Sequence, residues 1–70
     1  MRIIFMEVGG TQPIQIATGE FPPQDGEHVT LFTDTTTNPP TTGIFNVTNV
    51  NRDYTGVDPD PSVIITVVPV

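Results

Sequence analysis

The chain has 70 residues, no cysteine and a formal net charge of −6. This length predicts one small domain, residues 1–70, which buries only roughly 60% of the surface its unfolded chain exposes. With no cysteine and a single histidine, the sequence excludes a disulfide framework and a zinc site. Self-association then remains as a way to stabilise so small a domain.

The charge balance argues against nucleic acids and anionic membranes as partners. The chain has no lysine, and Arg2 and Arg52 are its only basic residues besides one histidine. Nucleic-acid binding depends on several basic side chains that displace counterions from phosphates, and anionic membranes attract basic clusters in the same way. No segment approaches the ~20 apolar residues of a membrane span, and the apolar run after Arg2 is too short for a signal peptide. We therefore expect a cytoplasmic protein or one assembled into a particle.

Proline and glycine divide the chain into short segments with no helical periodicity. Clusters of β-branched residues between these turn signals predict strands, and the alternation is clearest in the third segment. A change of phase between Val47 and Val50 predicts a bulge near Thr48 and Asn49. The five predicted strands cover about residues 2–8, 12–18, 28–33, 44–50 and 62–68.

The connections differ in character. Gly9-Gly10 predicts a tight turn between the first two strands. Residues 34–43 contain no anchoring apolar side chain, which predicts an exposed, mobile hairpin tip. Residues 51–61 are polar and rich in turn residues, and we expect an acidic loop there.

These features predict an all-β fold, either a five-stranded small barrel or two packed small antiparallel sheets. Residues 21–31, which read Phe-Pro-Pro-Gln-Asp-Gly-Glu-His-Val-Thr-Leu, resemble the Pro-x-x-Gly-Glu-x-Val-x-Leu segment of small SH3-like barrel proteins. The Phe-x-Val-x-x-Val pattern from Phe45 and the final Val-x-x-x-Val-Val pattern from Val63 are similar to that group as well. Many proteins of the group are short phage and prophage products. The resemblance implies an SH3-like barrel and a phage origin, with the host cytosol or the virion as location.

The two terminal strands are apolar on both faces. Ile3 and Phe5 alternate with Ile4 and Met6, and the last strand repeats this pattern. If the two strands are neighbours, one face fills the core and the other forms an apolar patch, which is typical of an interface. We therefore expect a homo-oligomer. The alternative is a monomer whose loops cover both faces. The residues expected at the contact are Ile4, Met6, Ile64 and Val68.

One cluster suggests a ligand site. Arg52, Asp53 and Tyr54 are consecutive, and a guanidinium, a carboxylate and an aromatic ring suit a phosphate, a ribose hydroxyl and a base. Arg2 is the other cation available to a phosphate. The simpler alternative is an arginine paired with its neighbouring aspartate beside a tyrosine that caps the core.

The sequence offers little to catalysis, and we expect no enzyme, no cofactor and no metal. His28 and Ser62 are the only histidine and the only serine, and no nucleophile-elbow motif surrounds Ser62. Asp53, Asp58 and Asp60 have oxygen ligands suited to calcium, but repeated Asp-Pro is a common turn device, so a solvated loop is favoured.

Three functions remain open. The first is an oligomeric phage-type binding protein that sequesters a small nucleotide-like immune signal of the host in pockets between subunits. The second is a structural or decoration protein of the virion. The third is a protein-binding module that uses a sheet edge or the 35–42 tip.

Overall fold

The computed structural model describes residues 1–19, 21–54 and 62–70, which form five strands and, within those ranges, no helix. The strands are β1 (Arg2–Glu7), β2 (Gln15–Thr18), β3 (His28–Asp34), β4 (Thr41–Asp53) and β5 (Ser62–Pro69). They lie in one sheet in the order β2-β1-β5-β4-β3, which curls into a nearly closed barrel. The prediction of a small five-stranded all-β barrel is confirmed, and the alternative of two packed sheets is wrong.

The last strand lies at the centre of the sheet. β5 pairs with β1 in parallel, from Arg2 opposite Ser62 to Glu7 opposite Val67. On its other side β5 pairs antiparallel with β4. The β1–β2 and β3–β4 pairs are antiparallel too, so the sheet is mixed. The first and last strands are therefore neighbours, which is the condition on which the predicted apolar patch depends.

The core forms on one face of these strands, as the alternation predicts. Ile3 and Phe5 of β1 are buried, as is every second residue of β5 from Val63 to Val67. Leu31, Phe45 and Val47 complete the buried set. Because a strand places successive side chains on opposite faces, the residues between these positions lie on the outer face.

β4 carries the predicted bulge and is longer than predicted. Its pairing with β5 shifts register between Val47 and Asn49, and the Thr48 hydroxyl donates a hydrogen bond to the Thr66 carbonyl at 3.3 Å. The strand then continues to Asp53, beyond the expected end at Val50. Residues 51–53 therefore belong to the sheet and not to the loop that the sequence predicted.

The first turn and the second strand also differ from expectation. Gly9 has a φ of 77°, which favours glycine, and the Gly10 amide donates to the Glu7 carbonyl at 2.8 Å. β2 begins only at Gln15, three residues later than predicted. Pro13 explains part of the difference because proline has no amide hydrogen for the ladder.

The tip between β3 and β4 is exposed, as predicted, but it is shorter than the predicted 34–43, because β3 extends to Asp34 and β4 begins at Thr41. Its side chains are joined by hydrogen bonds centred on Asp34, which accepts from Thr36, and on Thr37, which contacts Thr41 at 3.2 Å. The tip thus has a defined local structure, whereas its mobility stays a prediction.

The barrel has one opening between its edge strands, β2 and β3, which we call the seam. The two strands do not pair through their backbones. Among the described residues, the side chain of Gln15 bridges them, with the Phe32 amide donating to Gln15 Oε1 at 3.0 Å. Residues 21–24, which we call the strap, line the seam from the loop between the two strands.

Candidate functional site

Arg52 lies near the end of β4, on the face that continues the core. It stands opposite Val63 in the β4–β5 register, two residues after Val50, which packs against the core. The side chain itself is exposed and reaches the rim of the barrel.

A cleft of about 500 Å³ opens beside Arg52, within the size range of small-molecule sites. We call it the Arg52 cleft. Phe21 lines it and is 89% exposed, Asp25 adds a carboxylate, and Asn49 contributes to the lining at the bulge of β4. Pro22, Pro23, Gln24 and Val50 form the remaining walls. The cleft thus offers one cation, one aromatic ring and several hydrogen-bonding groups to a small polar ligand.

The other predicted site residues lie elsewhere. Asp53 stands opposite Ser62, so it projects to the outer face and away from Arg52; it is half-buried and already has an interaction partner. Tyr54 follows the strand and is 71% exposed. The three consecutive residues therefore do not form one cluster, because strand alternation separates Arg52 from Asp53.

Arg2 also lies on the outer face. It pairs with Ser62, which in turn pairs with Asp53, so these three residues form a row across β1, β5 and β4. Within one protomer, Arg2 and Arg52 project from opposite faces of the sheet. A site that used both arginines would need a second copy of the chain.

The outer face of β2, β1 and β5 carries the predicted apolar residues. Ile4 stands between Ile16 on β2 and Ile64 on β5, which gives a continuous row of three isoleucines. Met6 and Val68 lie farther along the same face. We call these five residues the outer apolar patch. Ile16 is 54% exposed and the other four are half-buried.

Polar residues border this patch on β4. Asn51 stands opposite Ile64, Asn49 opposite Thr66 and Asn46 opposite Val68. An apolar centre with a polar margin is the usual composition of a protein–protein contact surface.

A second groove, of about 590 Å³, follows the seam. Its floor is apolar, since Phe5 and Leu31 belong to the core and Ala17 and Val29 pack against it. The strap forms one wall, and among the described residues Glu27 is the only charged one in the lining.

The two candidates for catalysis, His28 and Ser62, are not brought together. His28 lies in the row of Asn46 and Val68, whereas Ser62 begins β5, six residues away and thus on the order of 20 Å along the strand. In the described ranges, no group of three or more acidic, histidine or cysteine residues could hold a metal ion. Asp58 and Asp60 lie outside the described residues.

The strap is the part of the candidate site that the sequence analysis missed. It lines both grooves, and its Phe21 is the most exposed large apolar side chain of the described chain. The signal was present in the sequence, because an aromatic residue before two prolines has an extended backbone and a large apolar ring.

Comparison of the chain with protein-family models, with curated proteins and with solved structures found no match. No helix among the described residues is long and apolar enough to cross a membrane.

Proposed function

We propose that this domain is a non-enzymatic component of a homo-oligomer and that its outer apolar patch is the contact between copies. The row of Ile16, Ile4 and Ile64 carries the proposal. In an isolated domain this row leaves apolar surface in water, above all at Ile16, whereas a second copy removes that surface from water.

The energetic scale supports self-association. Burying about 400 Å² of apolar surface contributes roughly 10 kcal/mol at ~25 cal/mol per Å², before the entropic cost of association is subtracted. That figure is comparable to the whole stability of a small domain. The asparagines along β4 provide the polar margin that such an interface needs.

An assembly role agrees with the rest of the chain. The lysine-free composition and the threonine-rich tip suit a structural or decoration protein of a virion, which is the form of assembly we favour. The separation of Ser62 from His28 supports a non-enzymatic role, because a serine nucleophile needs its base within hydrogen-bonding reach.

Sequestration of a small ligand is the second candidate, and the Arg52 cleft favours it. A guanidinium beside the exposed ring of Phe21 suits a small anionic ligand with a planar ring, such as a nucleotide. Asp25 in the same lining opposes the binding of phosphate. The assembly role therefore stays the leading proposal.

Native mass spectrometry of the gently purified protein tests both candidates, because it reports subunit number and retained small molecules together. We expect a defined multimer. Ile16→Lys places a charge in the outer apolar patch and should give monomers, whereas Thr42→Lys adds the same charge to an exposed position on β4 and should leave the multimer intact.

A monomeric wild-type protein over the micromolar to millimolar range would refute the assembly role. Retained mass of nucleotide size, lost in Arg52→Ala but kept in Arg2→Ala, would make sequestration the leading account.

A further inference from the structure

The seam has the geometry of an incomplete strand pairing. Every other neighbouring pair of strands is joined by a backbone ladder, but between β2 and β3 the side chain of Gln15 takes the place of a strand, accepting from the Phe32 amide at 3.0 Å.

The free edge of β3 can be identified from the ladder with β4. The Gly26 amide donates to the Val47 carbonyl, and the Val47 amide donates to the Glu27 carbonyl. The backbone amide and carbonyl groups of Phe45 and Gly43, two and four residues earlier in β4, therefore point toward β3 as well. The backbone amides and carbonyls of their register partners Val29 and Leu31 therefore form the hydrogen bonds to β4.

The alternate residues of β3 direct their peptide groups into the seam. Phe32 is one example, since its amide donates a hydrogen bond to the Gln15 side chain across the seam. Thr30 and His28 have the same orientation, and no described strand stands beside them. An unpaired edge of this kind is a template for an added strand.

The groove next to this edge has the dimensions and the lining of a peptide site. Its volume is about 590 Å³, and its apolar floor accepts the alternate side chains of an extended segment. The charge of the lining is one-sided: Glu27 contributes a carboxylate, and no lysine or arginine lines the groove.

We propose that the seam binds an extended peptide segment of another protein, which adds as a strand to β3, places apolar side chains on the floor formed by Phe5 and Leu31, and carries basic residues toward Glu27. This proposal rests on the barrel seam alone and does not depend on the outer apolar patch, which lies on the opposite face of the sheet.

The test is selection of peptides from a random library on the immobilised full chain, followed by affinity measurement of an enriched peptide. We expect enriched sequences to alternate β-branched and polar positions and to include lysine or arginine. No enrichment over the empty support, or enrichment of acidic sequences, would overturn the proposal.

Two matched variants locate the binding. Thr30→Pro removes the amide hydrogen that faces the seam and leaves the ladder to β4 intact, because edge strands tolerate proline there. It should weaken the enriched peptide about tenfold, whereas Thr30→Val changes only the side chain, keeps the amide and should weaken it much less. Glu27→Gln should weaken a basic peptide about threefold, and added salt should reduce that difference.

Hydrogen exchange of the wild-type protein provides a readout that does not depend on the proline variant folding. The Thr30 amide should become protected when the enriched peptide binds, and absence of protection would overturn the proposal. If Thr30→Pro instead lowered the subunit number in native mass spectrometry, a second copy and not a foreign peptide would occupy the seam, and the proposal would be wrong.

Discussion

Asp34 is the residue on which the local structure of the hairpin tip depends. Its Oδ1 accepts hydrogen bonds from the Thr36 amide at 2.9 Å and from the Thr36 hydroxyl at 2.6 Å. The hydroxyl bond, followed by the amide bond, holds the pKa of the Asp34 carboxyl below its usual value. An aspartate that bonds a backbone two residues ahead is a common turn device, and Asp34 followed by threonines gives that signal in the sequence.

We expect Thr36→Val to raise the pKa of Asp34, because the substitution removes the hydroxyl donor and keeps the amide. Because the folded pKa lies below the unfolded one, the stabilisation that these bonds give is present above the unfolded pKa. It is lost as the pH falls through the folded value. A carboxyl titration by NMR measures the shift, with Thr35→Val as control. Equal Asp34 titrations in wild type and Thr36→Val would contradict this explanation.

At the scale of the element, β5 is the strand that the rest of the fold surrounds. Val63, Ile65 and Val67 are fully buried, and the strand has neighbours on both sides. A central parallel pairing favours the apolar, β-branched composition that the sequence shows here.

Two alanine variants of adjacent residues separate the faces of β5. Ile65→Ala should cost about 2–5 kcal/mol of unfolding free energy, because it leaves a cavity in the core. Ile64→Ala should cost about 1 kcal/mol in the monomer, because its side chain is only half-buried. Urea unfolding at low protein concentration measures both. Equal losses of unfolding free energy in the two variants would contradict the assignment of Ile65 to the core face and Ile64 to the outer face.

The sequence predicts which segments form strands and which side chains of the terminal strands face the core. It does not predict where the strands end. The alternation in β1 and β5 assigned Ile3, Phe5 and Val63 to the core correctly. The extension of β4 to Asp53 was missed because Arg52 and its neighbours have no local strand preference. They are in the sheet because β5 stands opposite them, and tertiary pairing outweighs propensity.

At the scale of the whole molecule, stability should depend on protein concentration. If copies associate through the outer apolar patch, mass action raises the melting temperature as concentration increases. Calorimetry over a range of concentrations should show this rise for the wild type and not for Ile16→Lys. A melting temperature independent of concentration would argue against assembly.

The candidate site was predicted only in part, because its residues come from segments that are distant in the sequence and adjacent only in the folded sheet. Arg52 was identified from its residue type, but its neighbours in the cleft come from the strap and from Asn49, a residue at the bulge. No local pattern in the sequence predicts that residues 21–24 lie beside residue 52. Arg52 and Asp53 lie on opposite faces of the sheet because β4 extends through both residues, and the local sequence does not predict that extension.

The parallel pairing of β1 with β5 also determines when the protein can fold during synthesis. Arg2 has no partner on that side until Ser62 has been made, so the centre of the sheet is completed only when β5 has followed the other four strands in synthesis. Contacts so distant in sequence slow folding, because the loop must close before any pairing compensates for the lost chain entropy. Until then β1 has β2 beside it but lacks the neighbour that completes its core, and we expect a nascent chain to keep apolar surface exposed for that time.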